Sequence, residues 1–142
     1  MGEDQNRRTL LRFYAALSRH DLDEMGDCLA DGYVFYPSPG EAIEGREAFL
    51  AFEQEGFEAF PDLQVEVIAT VAEGDMVAAR LRMKGTHRSD FMGIPASGNS
   101  FELEYANVSR FDTSGKILED HDFVDNLAFL QQLGVIPDDP SG

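Results

Sequence analysis

The chain has 142 residues, a length that suits one domain able to bury a core without disulfides or a structural metal. Its 27 acidic and 11 basic residues give a formal net charge of −16, which would repel a nucleic-acid backbone. No apolar run approaches the roughly 20 residues of a membrane-spanning helix, and the single cysteine, Cys28, excludes an intramolecular disulfide. We therefore expect one domain over residues 1–142, with an ordered core from about 6 to 137 and a frayed tail at 137–142.

Neither nucleic acid nor a membrane is an expected partner. Residues 1–6 are acidic and polar, unlike a secretory signal, so a cytoplasmic location is the default expectation. Only two basic residues are lysines, Lys84 and Lys116. A carboxylate-rich, lysine-poor surface fits a halophilic source, and it fits equally a mesophilic protein kept soluble by its charge.

The first helix is predicted from an apolar stripe that ends near residue 20. Its members recur at the helical spacing i, i+3, i+4, i+7: Leu10, Phe13, Tyr14 and Leu17. Asp21 and Glu24 then have the form of a capping box, which predicts a second short helix to about residue 30.

A short strand and a third helix follow. The aromatic and β-branched run at 33–36, stopped by the Pro37 loop, predicts the strand. The helix is expected to begin after Gly45 and to end at Pro61. We expect it to bury three aromatic side chains: Phe49, Phe52 and Phe60.

The second half of the chain changes to strand periodicity. Residues 63–71 and 76–84 predict a hairpin around Gly74, and in the second run apolar residues alternate with Arg80, Arg82 and Lys84. A loop at 87–99 and a long strand at 101–111 follow. A last strand is predicted at 117–123, and Asp125 is placed to cap a closing helix that stops at Gly134. Helices, then an antiparallel meander, then a helix predict an α+β fold.

Strand parity places polar groups on the core-facing side of the last two strands. On the long strand the inward set contains Asn107, flanked by Tyr105 and Ser109. On the last strand Leu118, Asp120 and Asp122 share the inward face, about 6.5–7 Å apart along the strand. Like charges this close in apolar surroundings raise one pKa, which makes a carboxyl usable as an acid or base near neutral pH.

Several motifs, in order and spacing, resemble the SnoaL-like polyketide cyclases of the nuclear transport factor 2-like superfamily. The most specific is Gly-Thr-His at 85–87 with Phe-Met-Gly-Ile-Pro at 91–95 and Gly98. The others are Phe-Pro-Asp-Leu at 60–63, Asn-Val-Ser-Arg-Phe at 107–111, and Gly-Lys-Ile-Leu-Glu at 115–119 followed by Asp122 and Asp125. The resemblance implies a cone in which helices pack on a strongly bent sheet around a mostly apolar cavity. It also implies a homodimer paired through the convex sheet face.

The resemblance suggests roles for individual residues. Asp122 matches the aspartate that serves cyclase members as acid and base, with no metal and no cofactor. Asn107 stands where relatives carry Asp or His; an amide there could stabilise an enolate oxygen but could not shuttle protons. Asp120 is a second candidate acid whose alternative is an ion pair. His121 faces away from Asp122 by parity, so we do not expect a metal site.

Five further side chains are expected to contact a small apolar ligand: Tyr14, Tyr36, His87, Phe91 and Tyr105. His87 would reach over the cavity mouth, its alternative being a solvated loop histidine. Phe13 and Tyr36 occupy the positions of the oxyanion tyrosine and the base of ketosteroid isomerase, which argues against that chemistry.

The resemblance implies aldol-type cyclisation or isomerisation of a small apolar carbonyl compound. It leaves open a non-catalytic binding module, and a chain that uses the fold only to dimerise around a filled core. An epoxide-hydrolase-like activity would need a cavity-facing arginine, and parity turns Arg80, Arg82 and Arg110 outward.

Overall fold

The computed structural model describes residues 2–137, which form four helices and six strands. The helices are α1 (Gly2–Ser18), α2 (Leu22–Asp27), α3 (Arg46–Ala59) and α4 (Asn126–Gln132). The strands are β1 (Leu29–Tyr36), β2 (Ile43–Glu44), β3 (Gln64–Glu73), β4 (Met76–Thr86), β5 (Ser100–Phe111) and β6 (Ile117–Phe123). The tail expected to be frayed lies outside the described residues, except for Pro137. No helix within 2–137 combines the length and the apolarity needed to cross a membrane.

The strands form one curved, mixed sheet in the order β2-β1-β6-β5-β4-β3. Neighbouring strands are antiparallel except β1 and β6, which run parallel. Helices α1 and α3 cover one face of the sheet, with α1 against β3 and β4 and α3 against β1, while α4 packs on β5. The predicted α+β arrangement of helices, meander and closing helix is therefore what the chain adopts.

Local sequence signals set the helix ends. The side chain of Asp21 accepts a hydrogen bond from the backbone N–H of Glu24 and caps α2, and that of Asp125 accepts from Ala128 and caps α4, both as predicted. Helix α2 ends at Asp27, earlier than expected, because β1 already begins at Leu29 and pairs with β6. The two-residue strand β2 was not predicted, since so short an edge strand has no periodicity to read.

The alternation predicted for β5 is confirmed along the whole strand. All of its odd-numbered positions are buried, from Phe101 through Asn107 to Phe111. The even-numbered side chains lie on the outer face. The outward basic residues of β4 pair with acidic neighbours: Arg80 with Glu104, and Arg82 with both Glu66 and Glu104. These pairs are exposed and add little stability.

A β-bulge in β6 corrects one parity assignment. Arg110 pairs with Glu119, but the next residue of β5, Phe111, pairs with Ile117, so Leu118 is an extra residue in its strand. Ile117 is therefore the fully buried residue at this end of β6, and Leu118 is only half-buried. The bulge ends before Asp120, so the carboxylates keep the predicted face.

Two aromatic clusters flank the interior between helices and sheet. The first centres on Phe49 of α3, whose ring lies 5.0 Å from that of Tyr33, 5.0 Å from Phe35 and 6.2 Å from Phe13. The second centres on Phe60, next to the rings of His87, Phe91, Phe101 and Phe129. The edge-to-face pairs within these clusters, such as Phe49 with Tyr33 and Phe60 with Phe101, add stability beyond the burial of apolar area.

Removing the ring at the centre of the first cluster tests the core. Phe49 is 2% exposed, so Phe49→Ala should lower the free energy of unfolding by about 3–5 kcal/mol, through lost burial and the cavity left behind. Urea unfolding measures this. The control is Phe123→Ala, since Phe123 is 50% exposed on the outer side of β6. Equal losses in the two variants would contradict the assigned core.

Candidate active site

A cavity of about 210 Å³ lies between the helices and the sheet. Its wall is mostly aromatic and aliphatic, with Phe13, Phe35, Phe49, Phe52, Phe60 and Phe91 among its members. The polar side chains in the wall are gathered on α1, β1, α3, β5, β6 and α4: Tyr14, Tyr33, Glu53, Tyr105, Asn107, Asp120, Asp122 and Asn126. An apolar hollow with a few convergent polar groups is the usual form of a small-molecule site.

Asp120 is the most deeply buried of the carboxylates, at 3% exposure. The Tyr33 hydroxyl donates to its Oδ2 at 2.7 Å, the Asn107 amide donates to its Oδ1 at 3.2 Å, and the Ser109 hydroxyl donates to the same Oδ1. Burial raises the pKa of Asp120, and these three hydrogen bonds oppose the rise because they favour the ionised form. Asp120 is thus held in place by donors rather than by a cation.

Asn107 links Asp120 to Asp122. Its Nδ2 also donates to Asp122 Oδ1, at 2.8 Å, so its two N–H groups serve the two carboxylates. Its Oδ1 lies 2.7 Å from the Ser109 hydroxyl oxygen, whose one proton is directed to Asp120. With both N–H groups engaged, Asn107 has no donor left for an enolate oxygen, so its geometry suits positioning instead of the role suggested from sequence.

Asp122 lies directly across from Asn107 in the β5–β6 register and is half-buried in the cavity wall. Removal from bulk water raises the pKa of Asp122 well above its usual range, and the charge of Asp120 raises it further, as does that of Glu53 when Glu53 is ionised. The hydrogen bond from Asn107 acts in the opposite direction. The inward orientation of both aspartates agrees with the strand parity.

Glu53 is a third carboxyl of the cavity, and the sequence analysis missed it. It lies on α3, and burial together with the charge of Asp120 raises its pKa from 4.5 to about 7. The available signal was helical spacing, since Glu53 stands four residues after Phe49 and three before Gly56, both of which line the cavity. The apolar stripe of α3 therefore contains one acid.

Of the three tyrosines expected to contact a ligand, two line the cavity and one lies on the outer face of the sheet. Tyr14 and Tyr105 line the cavity as predicted, and burial raises the pKa of both well above the usual range, so their hydroxyls stay protonated. Tyr36 does not line it. Its ring stacks on His121 at 4.3 Å, on the outer face, because β1 alternates and Tyr33 and Phe35 take the inward positions. Tyr33 is the β1 tyrosine that faces the acids.

His87 is neither at the cavity mouth nor in solvent, contrary to both expectations. It is 0% exposed, and its ring stacks on Phe60 at 5.2 Å. Its Nδ1 accepts from the Ser97 backbone N–H at 3.3 Å, which orders the loop, while Nε2 has no hydrogen-bond partner within residues 2–137. The wall near the mouth contains Phe91 instead, followed by the exposed Met92 in a tight turn closed by Phe91 and Ile94.

The histidines do not join the acids. His121 contacts Glu119 at 3.3 Å on the outer face, as parity predicted, and within residues 2–137 no group of three metal-ligating side chains is placed to hold an ion.

Comparisons with known proteins agree with this architecture. Residues 8–133 match the model of the SnoaL-like polyketide cyclase family. Aklanonic acid methyl ester cyclase DauD from Streptomyces sp. (strain C5) is 33% identical over 129 residues, covering 87% of this chain and 78% of that protein. The structure of AclR, a proposed hydroxylase from Streptomyces galilaeus, is 30% identical with a TM-score of 0.84, covering 98% of this chain and 87% of its own.

A second solved structure gives the same fold. The proposed SnoaL-like polyketide cyclase from Jannaschia sp. CCS1 is 28% identical with a TM-score of 0.86, covering 95% of each chain. These likenesses confirm the nuclear transport factor 2-like fold expected from the sequence.

Removing the Tyr33 hydroxyl tests the support of Asp120. Tyr33→Phe deletes a buried hydrogen bond to a carboxylate, so it should lower the free energy of unfolding at neutral pH by about 1.5–3 kcal/mol. Tyr36→Phe is the matched control, because Tyr36 faces outward, and should stay within about 0.5 kcal/mol of the parent. Chemical denaturation of the parent and the two variants measures the difference in stability. A Tyr33→Phe protein as stable as the control would refute this hydrogen bond.

Glu53 makes stability depend on pH. In the folded chain Glu53 keeps its proton up to about pH 7, and in the unfolded chain only up to about pH 4.5. The protonated carboxyl therefore stabilises the fold below pH 4.5, and this contribution to the free energy of unfolding is lost as the pH rises through 7. Glu53→Gln removes that loss. The variant should match the parent near pH 4 and exceed it by on the order of 2–3 kcal/mol above pH 7.

Thermal unfolding from pH 4 to 8 measures the difference between parent and variant. Glu55→Gln, an exposed change of the same charge on the same helix, serves as the control and should show no such pH-dependent difference. A constant offset between Glu53→Gln and the parent across this range would rule out the raised pKa.

Proposed function

The chain belongs to the SnoaL-like polyketide cyclase family, and on that premise we propose that it catalyses cofactor-independent acid/base chemistry on a small apolar carbonyl compound in the cavity. The reaction is an intramolecular aldol-type cyclisation or an isomerisation. The observation that carries the proposal is the Asp122 carboxyl, which lines the aromatic cavity and is fixed by the Asn107 amide.

Asp122 is the acid/base group of the proposed reaction. Its carboxylate removes a proton from the carbon next to a carbonyl, and the electron pair of that bond moves to the carbonyl oxygen to give an enolate. The enolate carbon then attacks a second carbonyl of the same molecule, and the new alkoxide receives a proton. A carboxylate whose pKa is raised is a stronger base for this step than an ordinary aspartate.

Asp120 and Asn107 are positioning residues in this scheme. The Asn107 amide fixes the Asp122 carboxyl, and the Asp120 charge raises the pKa of Asp122 from the adjacent inward position of β6. Tyr33 and Ser109 hold Asp120 in turn. A network with its donors satisfied keeps the base rigid, which proton transfer at short range requires.

Tyr14 and Tyr105 are the proposed donors to the developing oxygen anion. Both hydroxyls stay protonated because burial raises their pKa values, and both side chains line the cavity. Neutral donors in an apolar site stabilise an enolate oxygen more strongly than water does.

The size of the cavity limits the substrate. Its volume of about 210 Å³ exceeds the roughly 150 Å³ that holds benzene and falls below the roughly 300–1,000 Å³ of drug-sized sites. A carbonyl compound of one or two rings is therefore the proposed substrate class, with any larger part extending past Met92 at the mouth.

The open cavity bears on the alternatives. It weighs against a chain that uses the fold only to dimerise, because such a chain would fill the hollow with its own aromatics. Within residues 2–137 no arginine lines the cavity, which weighs against epoxide-hydrolase-like chemistry. A binding module that holds a small apolar compound without turnover shares the same geometry, so activity has to separate it from an enzyme.

Proton abstraction can be measured before the natural substrate is known. The parent protein should accelerate deuterium incorporation next to the carbonyl of α-tetralone, a two-ring ketone. Asp122→Asn should slow this exchange by about 10²–10⁴-fold while ketone binding persists, because the amide has no basic oxygen to accept the proton. NMR follows the exchange and calorimetry the binding.

The matched control is Asp75→Asn, an exposed change in the β3–β4 turn, which should leave exchange unchanged. Exchange by Asp122→Asn at the parental rate would contradict the role of Asp122. Ketone binding by the parent without any exchange would favour the binding module. Cyclisation of aklanonic acid methyl ester, the compound in the name of the relative DauD, is the second substrate to assay.

A further inference from the structure

Glu53 is the acid of the cavity that the proposed reaction leaves unused. It is contributed by α3, whose residues Phe49, Phe52 and Gly56 line the cavity beside it. The aspartates come instead from β6, so carboxyls stand on both the helical and the sheet wall of the same hollow. Within residues 2–137 the Glu53 carboxyl has neither a hydrogen-bond donor nor a cation as partner, unlike Asp120 and Asp122.

The two walls therefore differ in what they offer a carboxylate, since an amide N–H points at Asp122 and no donor of the described chain contacts Glu53. Hydrogen bonds donated to a carboxylate favour its ionised form, and Asp122 has such a bond from Asn107. An ionised carboxylate without a partner in apolar surroundings is unfavourable, so Glu53 prefers to keep its proton. A protonated carboxyl is an O–H donor, and here it faces the space a ligand would fill.

We propose that Glu53 is the general acid of this site, delivering a proton to the substrate's carbonyl oxygen from the helical wall while Asp122 acts as the base on the sheet wall. The inference rests on the proposed function and adds to it a second group and a direction of proton flow.

The proton balance closes without any co-reactant. Asp122 takes a proton from the carbon next to one carbonyl, and the resulting enolate carbon forms a bond to a second carbonyl carbon. The electron pair of that second C=O bond moves to its oxygen, which takes the proton of Glu53. In a ketone with a single carbonyl, the oxygen of the enolate takes this proton instead. Asp122 is then protonated and Glu53 ionised, and exchange with water restores both before the next turnover.

The titratable groups that line the cavity together with Glu53 are all neutral or acidic. They come from α1, β1, β5 and β6: Tyr14, Tyr33, Tyr105, Asp120 and Asp122. No lysine, arginine or histidine of the described part of the chain lines this cavity. With no cation to favour its ionised form, and with the Asp120 charge opposing ionisation, the pKa of Glu53 lies at about 7. A general acid works best with a pKa near the working pH.

The test is the pH dependence of deuterium exchange into α-tetralone by the parent, Glu53→Gln and the exposed control Glu55→Gln. The parental rate should fall as the pH rises through about 7, where Glu53 loses its proton. Glu53→Gln keeps the size and a hydrogen-bond donor but has no proton to give. Its rate below pH 7 should be about a hundredfold lower, and this alkaline fall should be absent. Glu55→Gln should behave as the parent.

Different experimental results would overturn this inference and the proposed function. If Asp122→Asn abolishes exchange but Glu53→Gln keeps both the parental rate and its alkaline fall, Glu53 is not the acid and the role of Asp122 stands. If Glu53→Gln lowers the rate but keeps the alkaline fall, the residue only shapes the cavity, and the inference is likewise overturned.

If the parent protein shows no exchange activity, a titration that needs no turnover still tests the inference. NMR of carboxyl-labelled Glu53 should give a midpoint near 7, and saturation with α-tetralone should raise it, since a carbonyl that accepts from the protonated form stabilises that form. The rise should be the same in Asp122→Asn. A midpoint unchanged by the ketone would show that Glu53 donates nothing to the carbonyl, which overturns the inference.

Discussion

The whole site depends on one amide shared between two buried carboxylates. Asn107 donates one N–H to Asp120 and the other to Asp122, and no cation of the described chain lines the cavity to offset their charges. The sharing works only because β5 and β6 pair with Asn107 opposite Asp122 and Ser109 opposite Asp120. Two acids therefore face an apolar interior at a fixed separation, Asp120 held by several donors and Asp122 by the Asn107 amide alone.

The part of the site that the sequence predicts is the part governed by strand parity. A period of two along β5 and β6 is enough to place Asn107, Asp120 and Asp122 on one face, and the bulge at Leu118 leaves it intact because it lies before the aspartates. The roles of these residues required their contacts. That both N–H groups of Asn107 are occupied follows from the three-dimensional pairing, which single-strand periodicity does not contain.

The features that escaped prediction depend on packing between elements distant in sequence. The face on which Tyr36 lies follows from the parallel pairing of β1 with β6, and His87 is buried because Phe60, 27 positions earlier, stacks on its ring. Glu53 is a different case, since the helical period of α3 does contain it. A helical stripe defined by its apolar members does not show the acid that stands among them.

The cation-free wall also decides which compounds can stay in the cavity. An anion entering it must approach three carboxyls inside a chain of net charge −16, with little water to screen the repulsion. Uncharged molecules meet no such barrier. The hollow thus sorts compounds by charge, and a product that acquired a negative charge during the reaction would be driven out by the same field that left its neutral precursor undisturbed.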